Sequence, residues 1–194
     1  ILLEPIKQDF ELSDTQLGFL SGLAFALFYS TLGIPVAMWA DRRGRKNIIL
    51  LSLAVWSAMT LICGMAANFV QLALARVGVS IGEAGSTPPS HSMIGDLYPP
   101  EKRATAMAIY ALGINIGILI GFLLGGWINQ LYGWRTAFFV MGAPGLVLAL
   151  IGWLTLREPP RGYADGLANV KVKADGTVKV LDFGVARSDI ENRE

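Results

Sequence analysis

The chain is short of the residues from which soluble enzymes and metal centres are built. Its 194 residues include one cysteine and one histidine, so there is no disulfide framework to read and no metal is expected. Charge is also scarce. Charged residues make up 16% of the chain, the formal net charge is +1, and the bases sit in loops rather than on one face, which leaves no footprint for nucleic acid. Apolar surface takes the place of charge: 53% of residues are hydrophobic and 22 are glycine, a balance that suits a helical membrane protein better than a soluble domain. Cys63 falls inside an apolar run and reads as a small packing side chain. No signal peptide is visible, and the opening Ile1-Leu2-Leu3 reads as the end of a span whose beginning is absent.

Leu17–Ala40 and Ile48–Ala67 are apolar runs long enough to cross a hydrocarbon core of roughly 30 Å as helices. Between them lies Asp41-Arg42-Arg43-Gly44-Arg45-Lys46, a connection short enough to make the pair a membrane hairpin. Three further spans are expected at Phe69–Met93, Ala104–Leu131 and Thr136–Leu156. Arg42, Arg43, Arg45, Lys46, Lys102, Arg103, Arg157 and Arg161 fall on one side of these spans, and only Lys7 and Arg135 on the other. That asymmetry places the basic loops in the cytoplasm. Glu4, Asp9, Glu11 and Asp14 then belong to an external loop, with Ser13 or Asp14 as the cap of the first complete helix. The clipped opening segment supplies one more span, giving six with both ends inside.

Arg76 and Glu83 are ionisable residues near the middle of the third complete span, where charge is costly. Seven residues is close to two helical turns, so they share a face, with Ser80 between them and Thr87 and His91 continuing the stripe. Two roles stay open for this stripe: polar anchors that tie helices together, or groups that handle a substrate or protons. In the next span Gly113, Gly117, Gly121 and Gly125 recur every fourth residue, with Gly126 adjoining. Such a ridge lets a neighbouring backbone come close, either as plain packing or as a seam between moving helices. Pro35, Pro88, Pro89 and Pro144 are expected to kink or end their helices.

These motifs together resemble the N-terminal half of a major facilitator superfamily transporter over residues 1 to about 165. The loop at 41–46 is similar to the cytoplasmic signature between that family's second and third helices, with Ala37 where a glycine is usual. Arg76 matches the membrane-embedded arginine of the fourth helix. Gly121-Phe122-Leu123-Leu124-Gly125-Gly126 resembles the antiporter signature of the fifth, with Phe122 in place of proline. Leu3-Glu4-Pro5-Ile6-Lys7, Leu12–Gly18, Gly82-Glu83-Ala84-Gly85, Pro88-Pro89-Ser90-His91 and Asp96–Arg103 are similar to the spinster-like subgroup.

The resemblance implies an all-α, multi-pass protein of the cell's inner (plasma) membrane, with residues 1–158 as a truncated transporter half. It implies alternating access, proton coupling in the sense of a symporter or antiporter, and a small organic or lipid-like substrate. No cofactor is implied. The substrate or proton pathway is expected to involve Arg76, Ser80, Glu83, Thr87 and Asn115. Cytoplasmic gating is expected at Asp41, Arg42, Gly44, Arg45, Lys46 and Asp96, with Arg42, Arg43 and Arg45 reaching carboxylates such as Asp96 or Glu101. One half of a two-lobed transporter cannot enclose a midplane site, so a C-terminal transporter half is the expected partner and the function is that of the parent protein.

The tail changes character after a junction at 159–168. Val170, Val172, Val178 and Val180 alternate with polar residues around Ala174-Asp175-Gly176, a β-hairpin pattern. Ala168-Asn169 and Asp182-Phe183-Gly184-Val185-Ala186-Arg187 resemble a piece of a bacterial Ser/Thr protein kinase, so residues 169–194 read as a kinase-like scrap. The catalytic aspartate expected five residues before Asn169 is Ala164, and no nucleotide-anchoring lysine or glycine-rich loop is present. No enzyme activity is therefore expected. A membrane-tethered kinase remnant and a non-transporting membrane scaffold remain the alternatives.

Overall fold

The apolar runs fold as helices, joined by short turns. In the computed structural model the order is α1 (Leu3–Phe10), α2 (Asp14–Gly18), a π-helical turn (Phe19–Leu23), α3 (Ala24–Arg42), α4 (Arg45–Met65), α5 (Phe69–Ala84), α6 (Thr87–Leu97) and α7 (Pro100–Thr155). Two short strands follow, β1 (Val170–Val172) and β2 (Val178–Val180), paired antiparallel with Val170 opposite Val180. The structure describes residues 1–42, 44–165, 170–172 and 178–180. Arg43, the Ala174-Asp175-Gly176 turn, Asn169 and the Asp182–Arg187 motif lie outside the described residues, as do the side chains of Asp41 and Arg42.

Local chemistry sets the helix boundaries. Ser13 caps α2: its Oγ accepts from the Gln16 N–H at 3.3 Å, and Gln16 Oε1 accepts from the Ser13 N–H at 2.9 Å, a reciprocal capping box. From there α2, the π turn and α3 form one run, so the first complete span carries a local bulge. Asn68 caps α5 through Oδ1, which accepts from the Gln71 N–H at 2.9 Å.

The span expected as continuous over Phe69–Met93 is broken. Helix α5 ends at Ala84, Gly85 and Ser86 make short backbone bonds to Gly82 O and Glu83 O, and α6 restarts at Thr87. Pro88 and Pro89 explain the restart, because proline has no N–H to donate to a preceding turn and is at home in a helix's first turn.

Helix α7 is two helices separated at Gly133, whose φ of 82° and ψ of 165° interrupt the helical backbone. The arms, 100–132 and 134–155, correspond to the last two expected spans. That region of φ/ψ is essentially closed to residues with a Cβ, and no atom crowds the site. Gly133→Ala should therefore cost about 1–3 kcal/mol through backbone strain alone. A lower thermal midpoint in detergent, with helix content unchanged, is the measurement.

By length and hydropathy, α4 and α7 qualify among the described residues as able to cross a membrane. None of the most apolar window of α7 is buried within the protein. Ile109 and Leu123 are about two-thirds exposed, at 66% and 65%, as suits a face turned toward lipid or a further helix.

A compact core closes the end opposite the basic loops. Ile6 of α1, Leu12, Leu20, Cys63, Leu72 and Trp134 pack there. Trp134 meets Phe10 edge-on at 5.6 Å. Arg135 spans the same end, donating to Asp9 Oδ2 at 2.6 Å and to Ala66 O at 3.2 Å while its guanidinium lies 4.2 Å from the Trp134 ring. The segment expected as an acidic external loop thus begins with an amphipathic helix, α1, pinned onto this core.

Small residues bring the spans together, but not the ones in the glycine ridge. A Cβ on Gly82 would stand 2.5 Å from the Trp56 backbone nitrogen, and one on Gly78 would stand 2.6 Å from Met59, so α5 lies tight on α4. Gly142, Gly145 and Gly152 put the 134–155 arm equally close to Ser57, Leu61 and Leu50 of α4. The ridge differs: a Cβ on Gly113, Gly117 or Gly125 would meet nothing within 4 Å. Gly121 has only Met141 Cε at 3.6 Å, and Gly126 only the Ile1 side chain. Among the described residues no helix lies along that face.

Candidate functional site

Arg45 is the most completely enclosed charge in the described protein, with 1% of its surface exposed. It is the first residue of α4, after Gly44 as N-cap, so its side chain starts where α4, α6 and the end of the 134–155 arm meet. Nη1 donates to Ser92 Oγ at 3.0 Å and pairs with Asp96 Oδ2, both on α6. Nε donates to Glu158 Oε1 at 3.2 Å and Nη2 to Pro159 O at 3.0 Å, both just past the last arm. A planar fork with five donors suits this division of labour, which a lysine ammonium cannot reproduce.

The acids are held from several sides. Glu158 caps the start of α4, accepting from the backbone N–H of Arg45 at 2.9 Å and of Lys46 at 3.3 Å, where the helix dipole favours a carboxylate. Gly44 makes room for it: a Cβ there would stand 2.8 Å from Glu158 Oε2. Asp96 Oδ1 accepts from the Gly162 N–H at 2.9 Å, and its backbone carbonyl accepts from Ala164 N–H at 2.9 Å. Arg103 and Asp165 add an outer pair at 2.9 Å. The segment after the last span therefore folds back over the arginine.

Burial pushes the Asp96 and Glu158 carboxyls upward. The hydrogen bonds and charge of Arg45, with backbone N–H groups, outweigh burial and hold both below their ordinary values of 3.8 and 4.5. Folded values below unfolded ones stabilise the folded state above the ordinary carboxylate range, and that stability is lost as pH falls through the folded values. Stability measured in detergent should accordingly fall on acidification below about pH 4.5, and fall less steeply in a variant lacking the Arg45 side chain.

The structure brings together four members of the expected gating set, Gly44, Arg45, Lys46 and Asp96. Lys46 Nζ donates to Trp153 O at 2.8 Å. Glu158 is the carboxylate the sequence reading missed, having offered Glu101 beside Asp96. The signal was an acid at the exit of the last span, in Arg157-Glu158-Pro159-Pro160, where the topology rule calls only for bases.

The expected polar stripe falls on α5. Ser80 is fully buried and donates to Val77 O at 2.8 Å. Arg76 and Glu83 are half-buried, and the Arg76 guanidinium lies 5.5 Å from the Phe25 ring of α3. By helical spacing this face lies roughly opposite Gly78 and Gly82, which are engaged with α4. Thr87, half-buried, lies beyond the break at Gly85-Ser86, so it belongs to a second helix rather than continuing α5. His91 meets Tyr110 edge-on at 5.2 Å, a packing role. Asn115 is exposed and its amide donates to Ala111 O of its own helix at 2.9 Å. It is not drawn into the stripe by any contact seen in the structure.

Comparison with known proteins accords with this architecture. A bacterial homologue of the human lysosomal transporter Spinster, solved in an inward-facing and occupied conformation, superposes with a TM-score of 0.74 and is 47% identical, covering 84% of this chain and 41% of that one. An MFS-type efflux pump of Mycolicibacterium smegmatis is 43% identical over 149 residues, 77% of this chain and 35% of the relative. The D-galactonate transporter of Escherichia coli is 30% identical over 195 residues, 92% of this chain and 45% of the relative. The chain thus spans less than half the length of these relatives, which are transporters rather than enzymes. The family model for the Major Facilitator Superfamily matches residues 1–188, a range that runs through the tail; the chain belongs to the major facilitator superfamily.

Proposed function

We propose that the intact protein is a secondary active transporter of the inner (plasma) membrane, working by alternating access, and that this chain is its N-terminal lobe. The observation that carries this reading is the α5 stripe. Arg76, Ser80 and Glu83 lie on one face at membrane depth, half-buried or buried, on a helix that is otherwise apolar. A second lobe facing that stripe would complete a midplane site. Glu83 is the group proposed to couple transport to protons, because protonation removes the cost of holding its charge inside the membrane. The substrate class is small and organic or lipid-like. Similarity to the D-galactonate transporter supports the first, and similarity to the Spinster homologue supports the second.

The arginine cage has a different part in this proposal. All its members lie within one lobe, so it braces the cytoplasmic ends of α4, α6 and the 134–155 arm into one rigid body. Alternating access needs such a body, because lobes that rock against each other must not deform. The end of α3 at Asp41, next to this brace, is then where the second lobe docks when the cytoplasmic side closes.

The test is uptake by the intact parent in proteoliposomes, with D-galactonate and a lysophospholipid as probes that bracket the class. Uptake of one of them should accelerate when a pH gradient is imposed. Gradient-independent uptake contradicts proton coupling, and uptake of neither contradicts the substrate class.

A further inference from the structure

An apolar groove of about 510 Å³ runs between α4 and the 134–155 arm, away from the α5 stripe. Each helix contributes residues at i, i+3 and i+7: Asn47, Leu50 and Ala54 from one, Leu146, Ala149 and Trp153 from the other. Leu50 and Ala149 are buried on the floor, whereas Trp153 is 61% exposed on the rim. The floor is narrow because Gly152 admits Leu50: a Cβ there would come within 2.6 Å of Leu50 Cδ2. Seven residues of helix make the groove about 10 Å long, within the roughly 15 Å of one leaflet.

The groove differs from an ordinary lipid-facing surface at its basic end. Lys46 reaches across that end from α4 to the last arm, its ammonium resting on Trp153 O at 2.8 Å, and exposed Asn47 stands beside it. The Glu158 carboxylate at the start of α4 is occupied by Arg45 and by the first N–H groups of that helix. An anion arriving there meets a cation whose present partner is one carbonyl. Tryptophan and lysine at the end of an apolar slot are the groups that sit at the level of lipid headgroups.

From this charge complementarity we infer that the groove is a binding site for an anionic phospholipid of the cytoplasmic leaflet. One acyl chain lies along Leu50, Ala54 and Leu146, and the phosphate is held by Lys46 Nζ and the Asn47 amide. The inference rests on the membrane reading given above.

Fluorescence of this chain, reconstituted in phosphatidylcholine vesicles, tests it. Trp153 emission is obtained as the difference between the chain and its Trp153→Phe variant, and brominated phosphatidylglycerol or brominated phosphatidylcholine is the quencher. Half-quenching of Trp153 should need roughly fivefold less of the anionic lipid, the effect of one lysine at the membrane surface. Lys46→Gln and, independently, Asn47→Asp should each abolish that preference. Equal quenching by both lipids in the unaltered chain overturns the inference, as does a preference that survives both substitutions. Quenching of the other tryptophans but not Trp153 means the groove is covered by protein, such as a second copy, and also overturns it. If no tryptophan is quenched by either lipid, the membrane reading itself fails.

Discussion

Arg45→Lys should lower the stability of this chain sharply although it preserves every charge. The guanidinium makes four separate contacts, to Ser92, Asp96, Glu158 and Pro159 O, in a pocket that leaves it 1% exposed. An ammonium can reach only part of that set, leaving buried acceptors unsatisfied. Removing one partner of a buried ion pair costs about 3–5 kcal/mol. Retained charge and partly exposed carboxylates bring the expectation for lysine down to about 1–3 kcal/mol. Thermal unfolding in detergent should register it as a midpoint lower by several degrees, on the order of 2–4 °C per kcal/mol. Arg45→Met should cost more, and should regain much of the loss when combined with Asp96→Asn and Glu158→Gln, because no uncompensated charge then remains. Since lysine satisfies the topology rule as well as arginine does, unchanged stability in Arg45→Lys would reduce this residue to a topological signal.

In the intact parent, Glu83→Gln should leave expression and substrate exchange measurable while removing stimulation by a pH gradient. The substitution keeps shape and hydrogen-bonding capacity but has no proton to exchange. Loss of gradient stimulation on the order of tenfold corresponds to the usual size of a coupling free energy. Arg76 lies on the same face, about 10.5 Å along the helix axis, so any tie between them runs through reaching side chains or water. In the Gln variant, Arg76→Gln should then have little further effect on pH dependence, whereas independent roles would give additive losses. If Glu83→Gln retains the full pH dependence, Glu83 is a structural anchor and coupling resides elsewhere.

The helices were legible because long apolar runs have few alternatives, and the cap was legible down to Ser13 or Asp14; Gln16, three residues after Ser13, closes the capping box on Ser13. The break after Ala84 was written in Pro88-Pro89, but hydropathy runs straight through it and masks the change of helix. Among the described residues the close helix contacts fall away from the glycine ridge for a physical reason. A four-residue glycine spacing says that a face can be approached, not that a helix is there to approach it. The ridge from Gly113 to Gly125 therefore looked stronger than the pair Gly78 and Gly82, which meets α4 directly. Arg45 could be named from its motif. Glu158 could not be assigned to it, because 113 residues separate the two and only the return of the last arm to the start of α4 unites them. Asn115 carried no local signal of a partner, and on an exposed helix its amide bonds the backbone carbonyl of Ala111.

The central claim is that the Arg76–Glu83 face of α5 lines a water-accessible pathway in the intact transporter. Cysteine accessibility tests it most directly. In the parent with Cys63 and every other cysteine replaced by serine, single cysteines at Arg76 and Glu83 are exposed in oriented vesicles to a membrane-impermeant thiol reagent. Leu148, on the outward face of the last arm, serves as the lipid-facing control. Both stripe positions should be labelled from at least one side of the membrane, with the Leu148 position unlabelled. Protection of both stripe positions from both sides, with the protein folded and inserted, would contradict it and leave the stripe as helix packing.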